Sequence, residues 1–259
     1  MQLTYKVVKR LALGTHDFTH PHKFHTQSLM ATTYNLSRKE PGKRSDLAYD
    51  AIKNKLVTGL LTGGARIDIT ELVTEIQTSR QPVIAAINRL AAEGFLRVVP
   101  QVGCWVANVQ TDEVEDFFRF FALAEGLACE LAAMRREQIQ LDALHANLEA
   151  TVRLVAAHED AERQSREFFR LNREFHGVIH DMARSGYVAN NAGGMWDRCD
   201  FYLANADAHI QGERILESEQ EHEAIVKAIA EKNVKKAGSL MVEHIQSFGA
   251  AAVRRLSAR

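Results

Sequence analysis

At 259 residues, with 46% hydrophobic and 25% charged residues, the chain has the composition of an ordinary globular protein with room for two domains. No apolar run approaches the roughly 20 residues of a membrane span, and the N-terminal segment lacks the apolar core of a signal peptide. The three cysteines have no metal-binding spacing, which favours a reduced, cytoplasmic protein.

The net charge of −1 hides a gradient along the chain. Residues 1–43 carry seven Lys and Arg against two Asp and Glu, and residues 44–110 carry seven against six. Residues 111–259 carry 18 against 25. Because the N-terminal part is basic and the C-terminal part is acidic, any polyanionic partner is expected to bind the N-terminal part.

Residues 1–43 show no regular apolar period and are predicted to form a poorly ordered arm. The arm contains four histidines that could bind a metal adventitiously, His16, His20, His22 and His25. Alternatively, Met30 is the true start, and residues 1–29 are an extension without a role.

Residues 44–108 have the pattern of a winged helix-turn-helix domain, in which three helices precede a β-hairpin. The first helix begins near Ser45 and ends at Gly59, and Asp68 or Thr70 caps a second helix through Ile76. A third helix has Pro82 in its first turn and ends before residue 94. Two β-prone runs, 95–99 and 104–107, flank a turn at 100–103. A domain of this kind is expected to bind DNA. The alternative interpretation is a winged helix that is used for contacts with other proteins.

The candidate DNA-binding residues lie at the start of the first helix, along the third helix and in the wing. Arg80 and free backbone N–H groups stand at the start of the third helix, where a phosphate or a major-groove edge would bind. Glycine at the predicted wing tip lets the backbone approach a groove closely. The full candidate set is Arg44, Ser79, Arg80, Gln81, Asn88 and Gly103.

This region resembles the DNA-binding domain of the GntR family of bacterial transcription factors. The matching motifs are Ala48-Tyr49-Asp50-Ala51-Ile52, Gly59-Leu60-Leu61-Thr62-Gly63-Gly64, Ser79-Arg80-Gln81-Pro82-Val83, Leu90-Ala91-Ala92-Glu93-Gly94-Phe95 and Gly103. The resemblance implies that Arg80 and Gly103 contact operator DNA. The chain departs from the family where Arg-Glu-Ala usually follows Pro-Val, because it has Ile84-Ala85-Ala86 there. We therefore expect an unusual operator.

Residues 112–259 contain helical patterns only and are predicted to form an antiparallel helical bundle, so the fold is mainly α. Asp112 with Glu115 resembles a capping box at the start of a long first helix. Further helices are predicted at 138–157, 160–183, 186–206, 216–231 and 233–256. The main breaks are expected at Gly186, Gly193-Gly194 and Gly212.

Four polar side chains lie on apolar helix faces of this bundle, Asn172, His176, His222 and His244. A lone histidine on such a face is usually a hydrogen-bonded core residue. Three in one bundle favour a shared site for a divalent metal such as Zn²⁺ or Ni²⁺, because burying three uncompensated imidazoles is costly. His180, one turn past His176, is an alternative ligand, but it is rather expected to lie on the polar side of its helix or to support the site from outside the ligand set. Arg173 and Glu174 are expected to be solvated surface charges.

The bundle resembles the FCD ligand-binding domain of the FadR subfamily. The resemblance implies that Asn172, His176, His222 and His244 hold a divalent cation, whose shell a small carboxylate effector completes. Two residues depart from the family pattern: Asn172 replaces a common Asp, and Phe121 replaces a frequent Arg. The predicted effector pocket consists of Phe121, Glu125, Trp196 and Tyr202.

The leading hypothesis is a homodimeric transcriptional regulator, a repressor, that binds double-stranded operator DNA and senses a small carboxylate. The competing hypothesis is a helical-bundle metalloenzyme of the di-iron carboxylate type. Such an enzyme needs two Glu-x-x-His motifs and further Glu ligands, and the bundle offers only Glu219-x-x-His222. The sequence also lacks phosphate-loop, nucleophile-elbow and zinc-protease motifs, so no catalytic residue is predicted.

Overall fold

The computed structural model describes residues 41–157, 160–206 and 213–258, which form nine helices and one β-hairpin. In chain order these are α1 (Pro41–Val57), α2 (Ile69–Ile76), α3 (Arg80–Ala92), β1 (Leu96–Val99), β2 (Gly103–Val106), α4 (Thr111–Arg135), α5 (Gln138–Ala156), α6 (Ala161–Ala183), α7 (Gly186–Asn205), α8 (Glu213–Ala230) and α9 (Val234–Ser257). This mainly helical order confirms the predicted winged helix-turn-helix followed by a helical bundle. No helix in the described ranges is long and apolar enough to cross a membrane.

Helices α1 to α3 and the hairpin share one core in the winged domain. Its centre consists of fully or almost fully buried side chains, including Ile52, Leu56, Val83 and Leu90. The two strands are antiparallel, with Leu96 opposite Val106 and Val99 opposite Gly103. An isolated bridge between Arg66 and Trp105 extends the hairpin on one side.

Side-chain capping and left-handed backbone conformations determine where helices α2 and α3 begin or end. The Asp68 side chain accepts hydrogen bonds from the backbone N–H groups of Thr70 and Glu71, at 2.7 and 3.1 Å, as predicted for the cap of α2. Helix α2 ends at Gln77, which has a left-handed φ of 53°. Helix α3 ends before Gly94, whose φ of +78° suits a residue without a Cβ atom.

Three local predictions at the domain ends are wrong. The predicted arm extended to residue 43, but α1 already begins at Pro41, where a missing N–H costs least; residues 1–40, including the four-histidine cluster, lie outside the described residues. Gly103 is not at the wing tip, because it opens β2 and the turn consists of residues 100–102. Asp112 and Glu115 form no capping box, since α4 starts after Gln110 without a side-chain cap.

The predicted helix break at Gly193-Gly194 is also wrong, because both glycines lie inside α7. Each glycine costs an exposed helix up to about 1 kcal/mol. Burial of Trp196, Cys199 and Phe201 on the same helix offsets that cost.

Helices α4 and α9 pack unusually closely, and glycines make this approach possible. A Cβ atom on Gly249 of α9 would lie 2.5 Å from Phe118 Cβ of α4, and one on Gly238 would lie 2.5 Å from Glu130 Cγ. Such separations are well inside van der Waals contact, so the two helices would have to move apart.

We expect Gly249→Ala to lower the free energy of unfolding by about 1–3 kcal/mol, because the added methyl group overpacks the α4–α9 contact. The matched control is Gly194→Ala in α7, where a Cβ atom would meet nothing within 4 Å. That variant should be as stable as wild type or more stable by up to about 1 kcal/mol. Chemical denaturation of both variants measures the difference, and equal stabilities would contradict the proposed close packing.

Helix α7 joins the bundle to the winged domain. The Gly63 N–H donates to Asn205 Oδ1 at 2.6 Å, and the Arg198 guanidinium donates to the carbonyls of Glu93 and Gly94 just after α3. The rings of Phe95 and Phe201 meet edge to face, with centroids 5.3 Å apart. Polar and aromatic contacts thus hold the C-terminal end of α3 against the bundle.

Candidate metal centre and DNA-binding surface

Three histidines from three helices converge in the centre of the bundle. His176 lies on α6, His222 on α8 and His244 on α9, and all three side chains are almost completely buried. One ring nitrogen of each lies within 4.8 Å of those of the other two. The amphipathic patterns predicted that these side chains face inward, and the packing of three separate helices brings them together.

Two carboxylates orient the cluster from outside. His176 Nδ1 lies 2.9 Å from Glu125 Oε2, and His244 Nδ1 lies 2.6 Å from Glu221 Oε2. When each Nδ1–H donates to its carboxylate, the Nε2 lone pairs are left for the centre of the cluster. The ring of Phe175 stacks on that of His222, with centroids 3.9 Å apart. The two carboxylates and the stacked ring thus favour orientations in which the Nε2 atoms of the three histidines face the centre of the cluster.

Two buried polar atoms beside this point lack a hydrogen-bond partner, His176 Nε2 and Asn172 Oδ1. An unpaired buried polar atom is costly, so a pair of them at one place calls for a ligand. The Nε2 atoms of His222 and His244 are 3.2 Å apart. Two nitrogens about 2.1 Å from one ion lie roughly 3.0–3.4 Å apart in octahedral or tetrahedral geometry. The residues therefore fit a divalent metal ion.

Burial and hydrogen bonding set the charges around the histidines. Burial lowers the pKa of His176 to about 4, and burial together with His244 holds the pKa of His222 well below its usual value. Burial alone would raise the pKa of Glu125, but hydrogen bonds from His176 and His180 lower it to about 2. At neutral pH the neutral imidazoles of His176 and His222 therefore lie beside the ionised carboxylate of Glu125, and neutral imidazole is the form that ligates a metal.

Glu125 and His180 lie outside the three-histidine cluster and support it. Glu125 accepts from His180 Nε2 at 2.8 Å and from Trp196 Nε1 at 3.1 Å, besides its bond with His176. Its carboxylate therefore fixes one proposed ligand, a second histidine and an indole together. Of the alternatives for His180, the structure has the supporting one, since its ring is buried and bonded to Glu125 beside the three histidines.

A small cavity adjoins the cluster, lined mainly by aromatic and aliphatic side chains. Its room for water-sized molecules is about 10 Å³, roughly the space of a single water. The lining residues are Phe118, Phe169, Asn172, Trp196, Cys199, Asp200, Leu203, His244, Ile245 and Phe248. Asn172 and His244 belong to both the cavity and the candidate metal site, so a molecule in this space would adjoin any ion that the histidines hold.

Of the four residues predicted to line the effector pocket, Trp196 lines this cavity. Phe121 packs behind it, with its ring edge-on to the Trp196 ring at 5.0 Å, and Glu125 is bonded to the histidines. The Tyr202 hydroxyl donates to Glu113 at 2.7 Å. Phe118, Phe169 and Phe248 were missed, because a buried aromatic in a helical stripe gives no sequence signal that separates a cavity wall from ordinary core.

Arg173 is not the solvated charge that the sequence predicted. Its half-buried guanidinium donates to Asp197 Oδ1 at 2.8 Å and to Asp200 Oδ2 at 2.6 Å. Asp197 in turn pairs with Lys53 of the winged domain. Glu174, by contrast, is exposed and pairs with Arg170, as expected for a surface charge. An ion-pair chain thus connects α6, which carries Asn172 and His176, with α1.

The candidate DNA-binding residues lie on the exposed side of the winged domain. Ser79 immediately precedes α3 and makes no side-chain cap bond, and Arg80, Gln81 and Asn88 are exposed on α3. Arg44 is exposed near the start of α1. Gly103 begins β2, where a Cβ atom would lie 3.0 Å from the Trp105 ring.

Comparisons with known proteins agree with this architecture. Residues 44–106 match the model of the family described as bacterial regulatory proteins, gntR family. Residues 116–247, more than half of the chain, match the FCD domain. The chain belongs to the GntR family. It is a DNA-binding transcriptional regulator with an FCD domain.

Several transcriptional regulators resemble this one over most of their length. The HTH-type transcriptional regulator YdhC of Bacillus subtilis (strain 168) is 26% identical over 197 residues, which cover 76% of this chain and 85% of YdhC. The Nta operon transcriptional regulator of Aminobacter aminovorans is 24% identical over 183 residues, which cover 71% of this chain and 82% of that protein.

Two solved structures share the fold of this GntR-family chain. E. coli McbR/YncC superposes with a TM-score of 0.70 at 20% identity, covering 82% of this chain and 98% of that one. A putative GntR transcriptional regulator from Rhodococcus sp. RHA1 superposes with a TM-score of 0.63 at 15% identity, covering 84% and 99%. At these identities the likeness concerns the fold alone.

Proposed function

We propose that this regulator is a homodimeric, cytoplasmic repressor whose FCD domain binds a small carboxylate through a divalent metal ion. The observation that carries the proposal is the buried cluster of three histidines beside the unpartnered oxygen of Asn172. The enzyme alternative is not favoured, because the cluster is built from imidazoles and lacks the bridging glutamates of a di-iron site.

His176, His222 and His244 would supply three nitrogen ligands, and Asn172 would supply an amide oxygen. When bound, the metal would act as a Lewis acid that takes the carboxylate of the effector into its coordination shell. Asn172 carries no charge, so the site keeps one more positive charge than it would with Asp, and this favours an anionic ligand.

The lining of the cavity argues for a largely apolar effector, although its walls must move apart to admit a molecule larger than a single water. Phe118, Phe169 and Phe248 offer apolar walls, and the lining side chains include neither Lys nor Arg. Asp200 is the one acidic residue that lines the cavity, and it is paired with Arg173. A second carboxylate on the effector would meet no cation there, so we expect a monocarboxylate with a short apolar body.

An exposed apolar stripe on α4 supports the homodimer. Phe120, Leu123, Leu127 and Met134 are 65%, 63%, 48% and 59% exposed, and they follow one side of the helix over about 21 Å. Large exposed apolar patches mark interaction surfaces. The occupant that fits is the same stripe of a second copy, because a two-fold dimer buries identical surfaces and positions two winged domains on a symmetric operator.

Helix α7 offers a route by which occupancy of the cavity changes DNA binding. Trp196 lines the cavity, the next residue, Asp197, pairs with Lys53 of α1, and Arg198 holds the end of α3. A ligand regulates only if it favours one arrangement over another. A shift of α7 caused by filling the cavity would move these contacts and thus the placement of α3.

The proposal is tested by measuring DNA binding and thermal unfolding with a panel of small carboxylates, each with and without Zn²⁺ or Ni²⁺. The DNA is a promoter duplex from upstream of the gene. A cognate monocarboxylate should raise the unfolding temperature only when metal is present, and it should also weaken DNA binding. A carboxylate that acts equally after metal removal would contradict the metal-mediated site, and one that strengthens DNA binding would contradict relief of repression by the effector.

We expect Asp197→Asn to uncouple effector binding from DNA binding, because it removes the charge that links Arg173 with Lys53. Coupled regulators change affinity on the order of 5- to 150-fold, and this change should fall toward onefold in the variant while carboxylate binding persists. Glu174→Gln, which removes an exposed ion pair from α6, is the control. Fluorescence anisotropy of labelled promoter DNA measures the effect, and an undiminished response in Asp197→Asn would contradict the proposed route.

A further inference from the structure

The outer face of the wing carries a row of two arginines and a tryptophan. Register places Arg97 of β1 directly opposite Trp105 of β2, and the isolated bridge places Arg66 on the other side of Trp105. Residues opposite each other in a sheet project to the same face. The Arg97 guanidinium lies 5.7 Å from the centre of the Trp105 ring, and both arginines are exposed.

This row borders the start of α3. Asp68 follows Arg66 by two residues in extended chain, and backbone hydrogen bonds from Glu71 and Thr70 hold its pKa below the usual value. The positive charges of Arg66 and Arg80 also lower the pKa of the Asp68 carboxyl group. Arg66, which pairs with the wing, and Arg80, the first residue of α3, therefore both lie near Asp68.

Helix α3 itself offers little positive charge to DNA. On its exposed side, Ile84 and Ala85 stand between Arg80 and Asn88. Arg89 is engaged elsewhere, with its guanidinium 3.7 Å from the Tyr49 ring and paired with Asp46 and Glu93. Affinity for DNA depends mainly on the number of phosphates that cations neutralise. A domain with so few cations on its recognition helix needs others nearby.

We propose that Arg66 and Arg97, held on either side of Trp105, form a second DNA contact that binds the phosphate backbone beside the groove entered by α3. This surface uses side chains other than the candidate residues of α3, it adjoins Gly103 through the Trp105 ring, and it rests on the DNA-binding function of the winged domain. The Trp105 ring restricts the Arg97 side chain and so lowers the entropic cost of holding it toward a phosphate. Since both arginines are proposed to bind phosphate, the contact is electrostatic and independent of the base sequence.

The test compares the salt dependence of DNA binding for wild type, Arg66→Ala, Arg97→Ala and the double variant. The probes are a 30-base-pair promoter duplex and a scrambled duplex of equal length. Each arginine that binds a phosphate contributes about 0.9 to the slope of log K against log salt. Because the proposed dimer carries two copies of each arginine, we expect the slope to fall by about 1.8 in each single variant and by about 3.6 in the double variant, with an unchanged preference for promoter over scrambled DNA. Arg97→Lys should retain most of the slope.

Arg153→Ala is the matched control, because Arg153 is an exposed arginine of α5 in the FCD domain, away from the α4 stripe. If the wing variants keep the wild-type slope, as Arg153→Ala should, this inference alone is overturned. Loss of promoter preference would also overturn it, since phosphate contacts carry no sequence information. No salt-dependent binding by wild type would overturn the DNA-binding function as well, and thermal unfolding of each variant shows that the domain remains folded.

Discussion

His222→Ala is expected to abolish stoichiometric metal binding. His222 is 2% exposed, and its Nε2 lies 3.2 Å from that of His244, so it stands at the centre of the cluster. Loss of a supporting residue outside a ligand set costs about 10- to 100-fold in metal affinity, so loss of a ligand should cost at least about 100-fold. Elemental analysis after dialysis against a weak chelator, together with calorimetric titration of Zn²⁺ and Ni²⁺, measures the difference.

The control for this prediction is His145→Ala, because His145 is an exposed histidine on α5 of the same bundle. It removes one imidazole without touching the cluster, and its metal content should equal that of wild type. Equal metal content in His222→Ala and wild type would contradict the metal site. The protein would then be expected to hold its effector in the cavity through Asn172 and His244 alone.

The sequence sufficed to place these histidines because each lies in its own amphipathic stripe. Burial of the apolar face of a helix determines which side chains point into the core. The sequence of each helix therefore predicted that His176, His222 and His244 face inward, without information on how the three helices pack. The support from Glu125 was only partly predictable. It was expected in the effector pocket, but its three hydrogen bonds to His176, His180 and Trp196 depend on how α4, α6 and α7 pack.

The contacts between domains could not be predicted, because they join residues far apart in sequence that follow no periodic pattern. Arg173 looks like a surface charge within its own helix, and only the position of α7 brings Asp197 and Asp200 to it. The same holds for the α4–α9 crossing, since the need for Gly249 arises from Phe118 on a helix about 130 positions away. The local sequence pattern determines which face of a helix is buried, whereas the packing of distant segments determines which residues that face contacts.

Leu123→Glu combined with Leu127→Glu is expected to convert the proposed dimer to a monomer. Both side chains lie in the exposed apolar stripe of α4, and in the dimer they would be buried against the same residues of the second copy. Four glutamates would then meet across the two-fold axis, and burying such like charges costs more than the apolar contact supplies. Sedimentation equilibrium should give about 29.0 kDa for the variant and twice that mass for wild type.

The same double substitution should weaken binding to a symmetric operator by about 10²- to 10⁴-fold, because the two winged domains no longer bind as one unit. Binding to a single half-site should change little, since α4 lies outside the winged domain. Tyr187→Glu is the control, because Tyr187 is 82% exposed on α7 and stands apart from the α4 stripe. A double variant that keeps the dimeric mass would exclude this stripe as the dimer surface. A monomeric variant with undiminished affinity for the full operator would show that each winged domain binds DNA independently.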